Sequence, residues 1–153
     1  EAKAMLQDFH AKVPFMKGML EIVMNRANNK GVIRTLLGRK CRFDLWEPTS
    51  WGVHRALPLN QAQSEYGMAI KRAGTYKALN RLIQGSAADQ TKRAMVNVYD
   101  ELGIIPHIQV HDELNCSVKD ENEGKKVKEV MENCVKLEVP SKVDINVGES
   151  WGG

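Results

Sequence analysis

Residues 104–118 read Ile-Ile-Pro-His-Ile-Gln-Val-His-Asp-Glu-Leu-Asn-Cys-Ser-Val. Ile104 to His111 is apolar and β-branched, Leu114 to Val118 resumes a strand-like alternation, and Asp112 and Glu113 stand between them. Two such runs with two residues between them predict a β-hairpin. The predicted turn pair, Asp-Glu, lacks the glycine that a two-residue turn favours. Two carboxylates placed at a hairpin tip against local turn preference point to a site. Carboxylates on rigid strands suit a hard cation such as Mg²⁺, which takes oxygen ligands and shares them with substrate phosphates. A surface turn with two solvated acids satisfies the same pattern.

The rest of the chain narrows the classes. Its 153 residues are enough for a core, and 42% hydrophobic with 27% charged residues is ordinary globular composition. No apolar run approaches the ~18 residues of a membrane span. The opening EAKAMLQDFHAK has no apolar h-region and is not a signal peptide; without a leading Met, the true start is expected to lie further upstream. Three cysteines, Cys41, Cys116 and Cys134, are odd in number and form no C-x-x-C pair. That predicts free thiols in a reducing compartment and no zinc site. His107 and His111 share strand parity, but four residues of strand hold them roughly 13 Å apart, too far to chelate one ion. Residues 1–99 hold 16 Lys/Arg against 7 Asp/Glu, whereas residues 100–153 hold 6 against 12. A basic first two-thirds suits a phosphate-backbone ligand, although a solvated surface with uneven charge reads the same way.

In order, residues 1–30 predict two helices meeting at Pro14, with a Met-rich stripe as core. Val32 to Phe43 predicts strand, turn at Leu37-Gly38, and strand, bearing Arg34, Arg39, Lys40 and Arg42. Residues 44–74 read as loop with a short helix near Gln61 to Ile70. Thr75 to Leu102 is the strongest helix, with Leu79, Ile83, Ala87, Ala94, Val98 and Leu102 as its apolar stripe and Thr75 able to cap it. Lys77, Asn80 (or Arg81) and Gln84 fall on another face. Asn and Gln carry both donors and acceptors, the equipment for reading base edges and sugar oxygens, and they are equally at home in solvent. Asp120 and Glu123 mark a helix start. Val143 to Val147 predicts a last strand beside the hairpin. The fold class expected is α+β, helices packed on a small antiparallel sheet with a carboxylate-bearing hairpin.

Four stretches resemble family A DNA polymerases, the polymerase I family of bacteria and phages. His107-Ile-Gln-Val-His-Asp-Glu-Leu114 resembles its carboxylate motif, and Asn80-Arg-Leu-Ile-Gln-Gly-Ser-Ala-Ala-Asp89 its N-x-x-x-Q-G-[ST]-A-A-D helix. Thr35-Leu-Leu-Gly-Arg-Lys40 resembles its T-L-x-G-R-R turn, and residues 131–152 its closing segment. They stand in the family's order and cover nearly the whole chain. The resemblance implies a C-terminal polymerase portion, with residues 1–74 at the end of the fingers and residues 75–153 in the palm. It implies Asp112 as a metal-bridging catalytic carboxylate and Glu113 as its weaker neighbour. It also implies Gln84, Asn80, Lys77, Arg39 and His111 as DNA contacts. Lys77 replaces a common arginine, keeping the charge without the bidentate fork.

The implied chemistry is attack of a primer 3′-hydroxyl on a nucleotide α-phosphate, clamped by two Mg²⁺ ions. The implied partners are primer–template DNA, deoxynucleoside triphosphates and the upstream portion of the same polymerase, in the bacterial or phage-infected cytoplasm. The family's second aspartate and its nucleotide-gripping helix are not found here. Glu65-Tyr-Gly-Met68 does not supply that helix, because Pro58 and His54 stand where its lysine and arginine belong, and it follows the TLLGRK turn when it should precede it. The chain is therefore expected to be inactive alone. Other readings of the same residues are a non-catalytic primer–template binding module and a metal-dependent nuclease or phosphotransferase. A single-subunit RNA polymerase is disfavoured by the glutamate after the aspartate.

Overall fold

The computed structural model describes residues 2–52 and 54–150. The order of elements is α1 (Ala2–Lys12), α2 (Pro14–Lys30), β1 (Val32–Arg34), β2 (Lys40–Arg42), β3 (Leu45–Pro48), β4 (Leu57–Pro58), α3 (Leu59–Tyr66), β5 (Ile70–Arg72), a 3₁₀ turn (Thr75–Lys77), α4 (Ala78–Leu102), β6 (Pro106–Val110), β7 (Glu113–Cys116) and α5 (Glu121–Asn133). All strand pairing among the described residues is antiparallel, in three small sheets, so the fold is α+β as the sequence predicts. The chain divides into two compact units, Glu1–Gln84 and Gly85–Gly153, and α4 contributes its first turns to one and the remainder to the other.

In the first unit, Pro14 opens α2, where its fixed φ suits the first helical position and its missing N–H costs nothing. Gly31 closes α2 in the left-handed conformation at φ +64°, its N–H donating to the Ala27 carbonyl at 2.9 Å. Val23 and Ala27 of α2 pack with Ile33, Phe43, Ala78 and Leu79, and Met16, Met19 and Leu20 line the margin. The Met-rich stripe is therefore core only in α2: no residue of α1 is buried, and Met5, Phe9 and Phe15 stay exposed. The basic hairpin forms, pairing Val32 with Arg42 and Arg34 with Lys40, with its turn at Leu36-Leu37, one residue before the predicted Leu37-Gly38, where Gly38 N donates to the Thr35 carbonyl at 2.9 Å.

Residues 44–74 are more ordered than their sequence suggests. They form a three-stranded sheet, β4-β3-β5, with α3 packed on it. Proline ends hid the strands: Pro48 closes β3 and Pro58 closes β4, where a missing N–H is tolerated at the limit of a ladder. Arg72 of β5 joins this sheet to the rest of the unit. It donates to the carbonyls of Asn28 (3.1 Å) and Phe43 (2.8 Å), and its guanidinium lies 4.6 Å from the Trp46 ring centroid.

In the second unit, Val98 of α4, Ile104 and Val127 of α5 form the core, flanked by Leu102, Cys116, Val118, Val130 and Met131. The stripe predicted on α4 is partly displaced. Leu79, Ala94 and Val98 are buried, Ile83 and Ala87 are exposed, and Asp89 and Thr91 are buried. Thr91 Oγ1 satisfies itself on the Ala87 carbonyl one turn back, at 3.3 Å. Thr75 does not cap α4: it lies buried within the 3₁₀ turn, and Gly74 precedes it. The predicted signature at α5 holds, with Asp120 Oδ1 accepting from Glu123 N at 2.8 Å and Glu123 Oε2 accepting from Lys119 N at 2.7 Å.

Val143 to Val147 forms no strand. Its first amide is taken by the Glu132 carboxylate at 2.9 Å, and Ile145 and Val147 lie over Gly124, so the segment packs on α5 by side chains. Gln90 Nε2 to Ser141 Oγ (2.9 Å) ties the same stretch to α4. The three cysteines are free thiols, as predicted, and burial pushes the Cys116 and Cys134 thiols upward.

A Cβ on Gly31 would stand 2.6 Å from the Arg72 Cζ, whereas one on Gly18 meets open space. Gly31→Ala is therefore expected to lower the unfolding free energy by about 1–3 kcal/mol, from the left-handed backbone and the displaced guanidinium together. Gly18→Ala, in the interior of α2, is expected to raise it by about 0.5–1 kcal/mol. Denaturant titration of both variants checks the pair; equal effects would contradict the Arg72 anchor.

Candidate functional site

The hairpin carrying the two acids forms, with its turn one residue earlier than the sequence reading placed it. Val110 pairs with Glu113, so the two-residue reversal is His111-Asp112 and Glu113 is the first residue of β7. The register explains why. A tight reversal calls for a left-handed residue, and His111 takes it at φ +53°, the one non-glycine at positive φ among the described residues. Histidine tolerates that region better than a β-branched residue such as Val110. Gln109 helps to hold the strained turn, its Nε2 donating to the His111 carbonyl at 2.5 Å.

Upstream, the ladder passes from Pro106–Cys116 to Ile108–Asn115, leaving His107 in a bulge. The bulge breaks the parity that seemed to align His107 with His111.

Beyond the turn, Glu113 and Asn115 share one face of β7 and Leu114 and Cys116 the other. Cys116 belongs to the core side, which leaves Glu113 on the outward face beside its neighbour Asn115, whose Nδ2 donates to Glu113 Oε1 at 3.2 Å. His111, Asp112 and Glu113 are all exposed. The tip thus offers hard carboxylate oxygen on an ordered backbone, open to a ligand. Among the described residues no three His, Cys, Asp or Glu side chains gather to hold an ion.

The remaining candidates lie in the first unit. Asn80 and Gln84, four apart on α4, are exposed, and no side-chain hydrogen bond holds either amide among the described residues. Lys77 precedes them in the 3₁₀ turn, exposed, with Nζ 5.4 Å from the Tyr76 ring centroid. Arg81, the alternative to Asn80 on that face, is occupied elsewhere: its guanidinium sits 5.0 Å from the Phe43 ring centroid. Arg39 stands exposed at the turn of the β1–β2 hairpin, where its carbonyl accepts from both Thr35 N (3.0 Å) and Thr35 Oγ1 (3.3 Å). Threonine in this turn therefore fixes the backbone that carries the arginine.

Asp89 is the residue the sequence reading quoted without assigning a role. It is only 6% exposed, and burying a carboxylate costs several kcal/mol unless it is engaged. The signal was present in the sequence: an acid three residues after Ser86, in a run otherwise built of small residues.

No helix among the described residues is long and apolar enough to cross a membrane.

The profile of DNA polymerase family A matches residues 1–153. A DNA-directed DNA polymerase of Pseudomonas phage M6 is 42% identical over 152 residues, which is 99% of this chain and 20% of the phage protein. DNA polymerase I of Pseudomonas aeruginosa is 31% identical over 159 residues, 16% of its own length. Among solved structures, the POL domain of Pol1 from M. smegmatis, in complex with a DNA primer-template and dNTP, superposes with a TM-score of 0.74 at 31% identity. That match covers 99% of this chain and 25% of the other. The chain spans about a fifth or less of the curated relatives it matches. With its α+β architecture, its motifs in order and a profile match from end to end, the chain belongs to DNA polymerase family A.

Proposed function

We propose that these residues are the C-terminal part of a template-directed DNA polymerase domain that adds deoxynucleotides to a primer 3′-hydroxyl. Residues 1–74 are assigned to the end of the fingers and residues 75–153 to the palm, and the site of action is the cytoplasm of a bacterial or phage-infected cell. The observation that carries the reading is the reversal at His111-Asp112. A strained turn keeps an exposed aspartate on an ordered hairpin, in a chain whose family membership is established. Strain at such a point is retained where the held geometry is used.

Asp112 would hold Mg²⁺, with Glu113 assisting from the outward face of β7. When bound, two such ions supply Lewis-acid stabilisation of the attacking and leaving oxygens in an in-line displacement. Asp112 would contribute a carboxylate oxygen, fixed by the turn, at the reacting end of the primer. Asn115 keeps the Glu113 carboxylate turned along the strand. His111 sets the backbone of the turn and lies within a residue of the carboxylate, where the primer terminus would approach. Asn80 and Gln84 donate to and accept from base edges and sugar oxygens of the primer–template, and Lys77 and Arg39 contact phosphate. The second metal-bridging carboxylate and the residues gripping the deoxynucleoside triphosphate are assigned to a segment outside these 153 residues, on the same or a separate polypeptide. With that segment absent, the chain is inactive.

In the polymerase that contains these residues, Asp112→Asn is expected to lower primer extension by at least about a thousandfold with no change in melting temperature. Glu113→Gln is expected to lose less. Extension near the unsubstituted rate by Asp112→Asn ends the catalytic assignment. Gln84→Ala and Asn80→Ala should each weaken primer–template binding by about 1–3 kcal/mol. Their stability should stay within about 0.5 kcal/mol of the parent, because both side chains are exposed. Lost stability with unchanged DNA affinity would assign both to the fold.

A further inference from the structure

The β1–β2 hairpin carries a charge pattern that the fold does not explain. From Ile22 to Phe43 the chain holds six Lys/Arg and no acid, and the register sorts three of these cations onto one face. Strand residues alternate between faces, and Ile33 and Cys41 turn toward the core of the first unit. Arg34, Lys40 and Arg42 therefore share the other face, and all three are exposed. Arg34 and Lys40 stand directly opposite each other, a like-charge pairing that weakens a two-stranded ribbon. An exposed strand edge can be guarded by charge of mixed sign, so that need does not account for a repelling pair.

The turn adds a second feature. Leu36 is 50% exposed and Leu37 44% exposed, two adjacent apolar side chains at the end of the cationic ribbon. Their backbone is held: Gly38 N donates to the Thr35 carbonyl at 2.9 Å, and Arg34 Nη1 donates to the Gly38 carbonyl at 3.0 Å. The leucines are thus presented from a braced turn.

Together the two features select the kind of partner. Three cations on one face complement a run of carboxylates or phosphates. A nucleic-acid backbone offers no apolar side chains, so it would meet the cations and leave the leucines in water. A polypeptide with acidic and apolar residues covers both. We propose that this ribbon docks an acidic segment of a partner protein, whose carboxylates meet Arg34, Lys40 and Arg42 and whose apolar side chains cover Leu36 and Leu37. The inference goes beyond the polymerase reading and does not depend on it.

The test is fluorescence anisotropy of the labelled peptide Asp-Asp-Leu-Glu-Asp-Leu-Asp-Glu with the 153-residue chain at low salt. Its counterpart with serine for each leucine and a blunt DNA duplex are run alongside. The leucine peptide is expected to bind more tightly than the serine peptide. Arg34→Glu is expected to weaken leucine-peptide binding by about five- to twentyfold. Its melting temperature should hold or rise, because glutamate opposite Lys40 replaces repulsion with attraction. Leu36→Ser combined with Leu37→Ser should bring the two peptides to equal affinity and leave duplex binding unchanged. Unchanged peptide affinity in Arg34→Glu overturns the inference, as does equal binding of the two peptides by the parent. An equal loss of duplex and peptide affinity in Arg34→Glu overturns it too and assigns the face to nucleic-acid phosphate. A fall of several degrees in the melting temperature of Arg34→Glu would overturn it by returning Arg34 to the fold. Failure of the parent chain to bind either peptide also overturns it, and none of these results bears on the role of Asp112.

Discussion

The guanidinium of Arg72 is the contact on which the first unit depends. It reaches the last turn of α2 through the Asn28 carbonyl, the end of the β1–β2 hairpin through the Phe43 carbonyl, and the three-stranded sheet through the Trp46 ring. Each of these elements is short, and the buried apolar set between them is small. A planar cation with several donors in fixed directions can satisfy two carbonyls and stack on a ring at once, which a lysine cannot. Gly31 makes room for it: the left-handed close of α2 and the space a Cβ would take are two consequences of one residue. The basic turn bearing Arg39 and the start of α4 bearing Asn80 and Gln84 are built on this frame.

The second unit rests on a different constraint. Its hairpin reverses in two residues with no glycine, and the backbone strain falls on His111. The Gln109 amide on the His111 carbonyl, two residues further along the chain, and the Asn115 amide on the Glu113 carboxylate are polar devices that fix the tip from either side. Below them, Cys116 anchors β7 in the core with Val98 and Val127. An exposed carboxylate is thus carried on backbone whose conformation is over-determined, the condition under which positioning a ligand costs little additional entropy.

Much of this was legible in the sequence, for identifiable reasons. Pro14, Gly31 and the Asp120/Glu123 pair act through their own backbone, so helix starts and stops could be read locally. The hairpin existed in the pattern, but its turn was placed one residue late, because His111 continues the apolar run while its backbone leaves the strand. The sheet in residues 44–74 was missed, since prolines and short strands mimic a loop and the pairing partner of Trp46, Arg72, lies 26 residues away. Val143 to Val147 has the alternation of a strand, but its ties run to Glu132 and Gly124 on a helix. On α4, burial follows neighbours more closely than hydropathy: Asp89 and Thr91 are inside while Ile83 is out. Asp112 and Glu113 stand out in the hairpin pattern and Asn80 and Gln84 on one helix face, but the roles expected of them come from motif order, which periodicity alone does not encode.

The central claim is that Asp112 completes its chemistry only with carboxylate and nucleotide-binding groups from outside these 153 residues. The most direct measurement is template-directed primer extension with Mg²⁺, using the 153-residue chain alone and mixed with a polypeptide carrying the preceding part of the polymerase domain. The account predicts no extension by either polypeptide alone and templated extension by the mixture. Templated synthesis by the 153-residue chain alone would contradict it.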